Sequence, residues 1–292
     1  MHTTEVLPKG LKLGAVQLRV SHLERSLAFY QDTVGFRVLR REEGRAELTV
    51  DGVSPLLILR EVGEGEGQRR RSAAGLYHFA ILLPDRPSLG LVLRNLIASG
   101  IEIGQGDHLV SEALYIQDPD NNGIELYRDR PRDTWQYDPE GHVVMGTDPV
   151  DVEGLLSDSE GLQWNGLPAG TVIGHVHFHV GNLKKAQDFY CGVLGFELVA
   201  RYGGSALFVS AGGYHHHIGL NVWAGEGAKP ASPNAPGIDY FTIQLPSEED
   251  RSLVLRRLED AGFGLTEFEG EPGVHDPWHI GIRLVAAEGL QA

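Results

Sequence analysis

Gly75-Leu76-Tyr77-His78-Phe79-Ala80-Ile81 carries one histidine inside a stretch with the length and residue types of a strand. Asp118-Pro119-Asp120-Asn121-Asn122-Gly123-Ile124-Glu125-Leu126 runs from a turn-forming sequence straight into a glutamate. The first stretch is expected to be a strand, and the second a tight turn feeding another. One imidazole and one carboxylate, held on rigid strands and aimed at one interior point, are two of the donors that a divalent metal site needs.

Working outward, the rest of the chain repeats this layout. Gly14-Ala15-Val16-Gln17-Leu18-Arg19-Val20 matches Gly174-His175-Val176-His177-Phe178-His179-Val180 at an offset of 160 residues, and Leu23, Phe29-Tyr30 and Gly35-Phe36 continue the match into Leu183, Phe189-Tyr190 and Gly195-Phe196. Gly75, Phe79, Ile81 and Leu83-Pro84 return as Gly237, Phe241, Ile243 and Leu245-Pro246 at an offset of 162. Asp118-Pro119 and Gly123-Ile124 return as Asp276-Pro277 and Gly281-Ile282 at an offset of 158. Register held over so many glycines and aromatics marks a duplication.

Each half again reads as two modules of strand, helix and three strands. Ser21-His22-Leu23-Glu24 has the pattern of a capping box, with Ser21 as N-cap, and Asn182 is the corresponding cap in the second half. Gly35, Gly100, Gly195 and Gly262 are expected to end the helices in the left-handed conformation. The predicted class is α+β: four βαβββ modules paired into two tandem domains with cupped mixed sheets, at residues 10–128 and 172–287, joined by a linker at 129–171. Val152-Glu-Gly-Leu-Leu156 suggests a helical turn inside the linker, and residues 63–72 an exposed loop.

Composition narrows the function. The 292 residues are long for one core, and 41% hydrophobic with 22% charged content is ordinary for a globular protein. Forty acidic residues against 25 basic give a net charge of −15, which argues against nucleic acid or an anionic membrane as partner. The single cysteine, Cys191, forms no intramolecular disulfide and suits a reducing compartment. The N-terminus has no basic region followed by an apolar run, and no stretch approaches the ~20 apolar residues of a membrane span. The expectation is a cytoplasmic protein with its oligomeric state open, a homo-oligomer included.

The modular duplication resembles the vicinal-oxygen-chelate superfamily, which contains glyoxalases, bleomycin and fosfomycin resistance proteins and extradiol ring-cleaving dioxygenases. The resemblance is carried by Leu23, Phe29-Tyr30 and Gly35-Phe36, and by the run from His108 through Tyr115 and Asp118 to Glu125. Within the superfamily, the chain is most similar to the catechol-cleaving dioxygenases. The matching phrases are residues 75–86, Asp129-Arg-Pro-Arg-Asp-Thr-Trp135 and Ala211-Gly-Gly-Tyr-His-His-His217-Ile-Gly-Leu-Asn-Val-Trp223.

The resemblance implies a metal-dependent enzyme that cleaves a catechol-type aromatic diol with O2. Fe(II) is the metal it favours, with Zn, Mn or Ni as alternatives. A glyoxalase-like isomerase or lyase, and a binding protein for a small drug or toxin, are the other functions it admits. Carried onto this chain, it offers metal ligands Gln17, His78 and Glu125 in the N-terminal half. An alternative C-terminal set is His177, His217 and Tyr240, with the same three as catalytic residues and His217 as acid–base. Tyr240 and Arg283 stand there where a histidine and a glutamate are usual, and a guanidinium cannot ligate a cation. His108 and Tyr115 are the N-terminal analogues of the acid–base groups. His216 is expected to point away from His215 and His217.

Overall fold

A computed structural model of the chain describes residues 6–62 and 72–287. The loop expected at 63–72 therefore lies, but for Ser72, outside the described residues. The first module consists of β1 (Lys12–Val20), α1 (Leu23–Ala28), β2 (Arg37–Glu42), β3 (Arg45–Thr49) and β4 (Pro55–Glu61). The second is β5 (Gly75–Leu82), α2 (Arg86–Ser99), β6 (Gly104–Asp107), β7 (Ser111–Gln117) and β8 (Gly123–Asp129). A short α3 (Val152–Asp158) lies in the linker. The third module is β9 (Val172–His179), α4 (Leu183–Gln187), β10 (Glu197–Tyr202), β11 (Ala206–Ser210) and β12 (Ile218–Asn221). The fourth is β13 (Gly237–Leu245), α5 (Glu248–Asp260), β14 (Thr266–Phe268), β15 (Glu271–His275) and β16 (Gly281–Ala286).

The order is βαβββ four times over, and the strands form two curled mixed sheets of eight. Helix ends follow the chemistry read from the sequence. α1 and α4 run on as π-helical turns, Phe29–Val34 and Asp188–Val193; Gly35, Gly100, Gly195 and Gly262 beyond the helical segments all have positive φ, and Asn182 accepts a hydrogen bond from Lys185 N at 2.8 Å. One cap differs: α1 is capped by His22 rather than Ser21. Ser21 is drawn off by Asp120, which accepts from its backbone N at 2.9 Å and from its hydroxyl at 2.5 Å.

The sheets are not shared as the sequence suggested. In each module the first strand pairs in parallel with the module's own last strand, leaving its other edge free. Those free edges are satisfied across the halves: β1 pairs antiparallel with β13, and β5 with β9. One sheet thus joins the first and fourth modules, and the other joins the second and third. All four first strands offer a similar edge, so the sequence does not reveal which pairs with which.

The modules of one half are joined instead through buried polar ties. Tyr30 donates to Asp118 at 2.9 Å, and its repeat partner Tyr190 donates to Asp276 at 3.0 Å. Asp118 and Asp276 also accept backbone N–H groups of their own turns. The sheets stack back to back over a continuous core, with Phe178 of β9 5.4 Å from Phe241 of β13, ring to ring. Among the described residues no helix is long and apolar enough to cross a membrane.

Two expectations follow. A Cβ on Gly90 of α2 would collide with the Leu155 carbonyl of α3. Gly90→Ala should cost about 1–3 kcal/mol of stability through overpacking, read as a lower melting temperature; an unchanged one would mean α3 does not dock. Burial raises Asp276 from the ordinary 3.8 to about 6. Its protonated form therefore contributes stability that is full below 3.8 and lost as pH rises through about 6. Asp276→Asn should narrow the difference in melting temperature between acid and neutral pH, and an unaltered difference would contradict this assignment.

Candidate metal centre

β5 and β9 meet in the middle of their sheet, with His78 opposite His177 and Ala80 opposite His175. The register skips Tyr77, making it a bulge residue. A bulge can re-aim a side chain next to a site, and here Tyr77 joins His78 instead of opposing it. Its ring lies 5.0 Å from that of His78, 5.2 Å from His177 and 4.9 Å from His179. Glu125 arrives on β8, opposite Ala80, and Gly123 sits opposite His78. A Cβ on Gly123 would collide with the Tyr77 carbonyl oxygen, so glycine is what lets β8 approach.

The result is a buried cluster of His78, Glu125 and His175, each offering one donor atom, all within 4.8 Å of one another. Both His78 Nε2 and His175 Nε2 stand 3.0 Å from Glu125 Oε2. The His175 contact is aligned as a hydrogen bond; His78 Nε2 is buried without a hydrogen-bond partner. Three donors with bonds of about 2.1 Å at right angles around one centre lie roughly 3 Å apart. An orphaned imidazole nitrogen aimed at a shared carboxylate is what a missing cation would satisfy. Two imidazoles and one carboxylate also form the open facial triad of non-haem Fe(II) oxygenases. The residues fit a divalent metal.

The electrostatics agree. Burial alone would raise the Glu125 carboxyl, but the imidazoles of His175 and His78 outweigh it and hold the group well below the usual range. Burial lowers His175 to about 4, against the pull of Glu125, and holds His177 and His216 well below the ordinary histidine value. Neutral imidazoles are the form that ligates.

Around the triad, Trp223 closes the rim, with its ring 5.3 Å from Tyr77 and 5.5 Å from His177. Asn221 donates to His177 Nε2 at 3.0 Å. The Tyr115 ring is 5.7 Å from His78, and burial together with the Glu125 charge raises its hydroxyl well above the ordinary value. That hydroxyl lies 2.6 Å from His108 Nε2, while His108 Nδ1 lies 2.8 Å from the Gly146 carbonyl. The carbonyl can only accept, so Nδ1 carries the proton and Tyr115 donates to Nε2.

Several expected residues fall elsewhere. Gln17 is in the other sheet, opposite Tyr240, and donates to Asp239 at 2.7 Å. It does not join His78 and Glu125, because the first module pairs with the fourth. Tyr240 packs with Ala15, Ile58 and Phe268, and Arg283 donates to the Phe268 carbonyl. His217 turns its ring toward Phe196 and Tyr214, and its Nδ1 accepts from Ala211 N. His177, His217 and Tyr240 are therefore not brought to one point.

Two residues were passed over. His175 lies on the same strand face as His177 and could have been found by asking which neighbour of His177 meets Glu125; the bulge at Tyr77 hid that register. His216, expected to point away from His215 and His217, has its ring 4.8 Å from that of His215 and 4.2 Å from that of His175. Alternation does not govern it, since β12 begins only at Ile218. The linker phrase holds this loop: His215 Nε2 is 2.8 Å from Asp129 Oδ1, Tyr214 donates to the same oxygen at 3.2 Å, and Trp135 packs 5.3 Å from the His215 ring.

The model of the Glyoxalase/Bleomycin resistance protein/Dioxygenase superfamily matches residues 12–126 and again 172–286. The chain belongs to that superfamily. It is similar to the catechol-2,3-dioxygenase of Bacillus subtilis (strain 168), with 54% identity over 266 residues, covering 91% of this chain and 93% of the relative. With an enzyme so similar over nearly the whole length, the chain is an enzyme. Two solved structures share the fold. A Bacillus subtilis protein provisionally described as a dioxygenase has TM-score 0.66 at 11% identity, over 97% of this chain and 86% of its own. Glyoxalase I from Zea mays has TM-score 0.55 at 17% identity, over 95% and 92%.

Loaded anaerobically with Fe(II), the His78→Ala, Glu125→Ala and His175→Ala variants should each retain only trace metal by elemental analysis, while Gln17→Ala should keep its full complement. Loss of metal in Gln17→Ala with retention in His175→Ala would move the site.

Proposed function

We propose that the protein is an extradiol dioxygenase that uses Fe(II) at His78, Glu125 and His175 to open a catechol-type ring with O2. The observation that carries this reading is the triad of two imidazoles and one carboxylate at one buried point. The catechol-2,3-dioxygenase likeness supports it. A bound Fe(II) would lower the hydroxyl pKa of a chelating diol and hold diol and O2 side by side.

The chain's own residues do the rest. Tyr77, Trp223, His177 and His179 form a wall of rings at the mouth, suited to an aromatic face. His216, beside His175, is the base. Its Nδ1 lies 2.9 Å from His215 Nδ1, and His215 Nε2 lies 2.8 Å from Asp129. With Asp129 accepting from His215 Nε2, His215 Nδ1 accepts from His216 Nδ1, and His216 Nε2 is left unprotonated to take a substrate proton. Burial, reinforced by His175 and His215, keeps His216 neutral for that task. Burial of the triad excludes bulk water.

The test is to load the protein with Fe(II), admit air and catechol, and follow the yellow ring-opened semialdehyde. Colour dependent on both iron and O2 is expected, and His216→Ala should lower kcat by roughly 10²–10⁴ while retaining metal. Metal bound at the triad with no colour across several catechols would overturn the dioxygenase reading in favour of a glyoxalase-like isomerisation.

A further inference from the structure

The second cup carries different side chains at the positions of the triad. By repeat register, Tyr240 stands where His78 does, Arg283 where Glu125 does and Ala15 where His175 does. The bulge is repeated too: the β1–β13 register skips Asp239, the counterpart of Tyr77. Where the metal cup has the rim residues Tyr77, His177, His179 and Asn221, this one has Asp239, Gln17, Arg19 and Arg60.

These four form one network. Asp239 accepts from Arg19 Nη1 at 2.9 Å, from Arg60 Nη2 at 3.0 Å and from Gln17 Nε2 at 2.7 Å. Arg19 is further fixed by donating from Nε to the Ala235 carbonyl at 3.0 Å. Two guanidiniums share one carboxylate, which leaves a net positive corner in a chain of net charge −15. A cavity of about 560 Å³ opens on the arginines, with Leu76, Ile238, Ile280 and Trp278 among its walls. That size is within the usual range for small-molecule sites, roughly 300–1,000 Å³.

We propose that this cavity is a second ligand site, independent of the metal, that takes a small organic carboxylate. Asp239 and Ala235 hold the two guanidiniums in place through Nε and Nη2 of Arg60 and Nε and Nη1 of Arg19, which leaves Nη1 of Arg60 and Nη2 of Arg19 to donate to a ligand carboxylate; one negative charge balances the corner, and the apolar walls receive the body of the molecule. The residues lining the cavity include none of His78, Glu125 and His175.

Benzoate is the probe, titrated calorimetrically into the metal-loaded full chain. Saturable one-to-one binding is expected, persisting in His78→Ala and weakened roughly ten-fold or more in Arg60→Gln, since hydrogen bonds to charged groups are the stronger kind. Arg60 is partly exposed, so its replacement leaves the core alone; Arg60→Lys, keeping charge without the fork, should fall between. Benzyl alcohol should not bind. Binding lost in His78→Ala but kept in Arg60→Gln would place benzoate at the metal and overturn the proposal. Absence of saturable binding, or inorganic phosphate binding as tightly as benzoate, would overturn it as well.

Discussion

The antiparallel pairing of β5 with β9 is the contact on which the metal centre rests. It closes the free edges of two first strands, and in doing so brings a histidine from each half of the chain to one carboxylate. The bulge at Tyr77 adds an aromatic ring to the same face without costing a ligand. The parallel pairing of β5 with β8 sets Glu125 beside His78, and the antiparallel pairing with β9 adds His175.

Much of this was legible in the residues. Regular spacing of glycines and aromatics revealed four modules, and the turn running into Glu125, read beside His78, located two of the three residues of the candidate metal centre. What sequence withholds is which free edges meet, since β1, β5, β9 and β13 are copies with equivalent edges. Gln17 was therefore set beside His78, although it belongs to the other sheet, and His175 was not named among the donors. His216 was misplaced for a local reason. A period of two holds only inside a strand, and the Tyr214–His217 stretch is held in shape by Asp129 and Trp135, far away in sequence.

The two cups show how one backbone accommodates opposite electrostatic solutions. In one, several buried imidazoles surround a single carboxylate, an arrangement tolerable because burial keeps most of them neutral. In the other, two arginines that cannot shed their charge share the single carboxylate of Asp239. Duplication supplied the geometry twice, and the side chains at the equivalent positions decide which chemistry each copy admits.

The interleaving of halves also has a consequence for the order in which the molecule is made. Every strand of the sheet that carries His78, Glu125 and His175 ends by Asn221, whereas its companion needs β16, which ends at Ala286. On a ribosome, where the N-terminal portion emerges first, one sheet has all its strands while β1 still waits for a partner more than two hundred residues downstream. Until then the first module presents an unpaired edge and a half-covered apolar face, the surface that invites pairing with a neighbouring chain. The last strands of the chain act as a closing seam, and a nascent chain stopped short of them would carry a nearly finished candidate metal centre beside an open, adhesive flank.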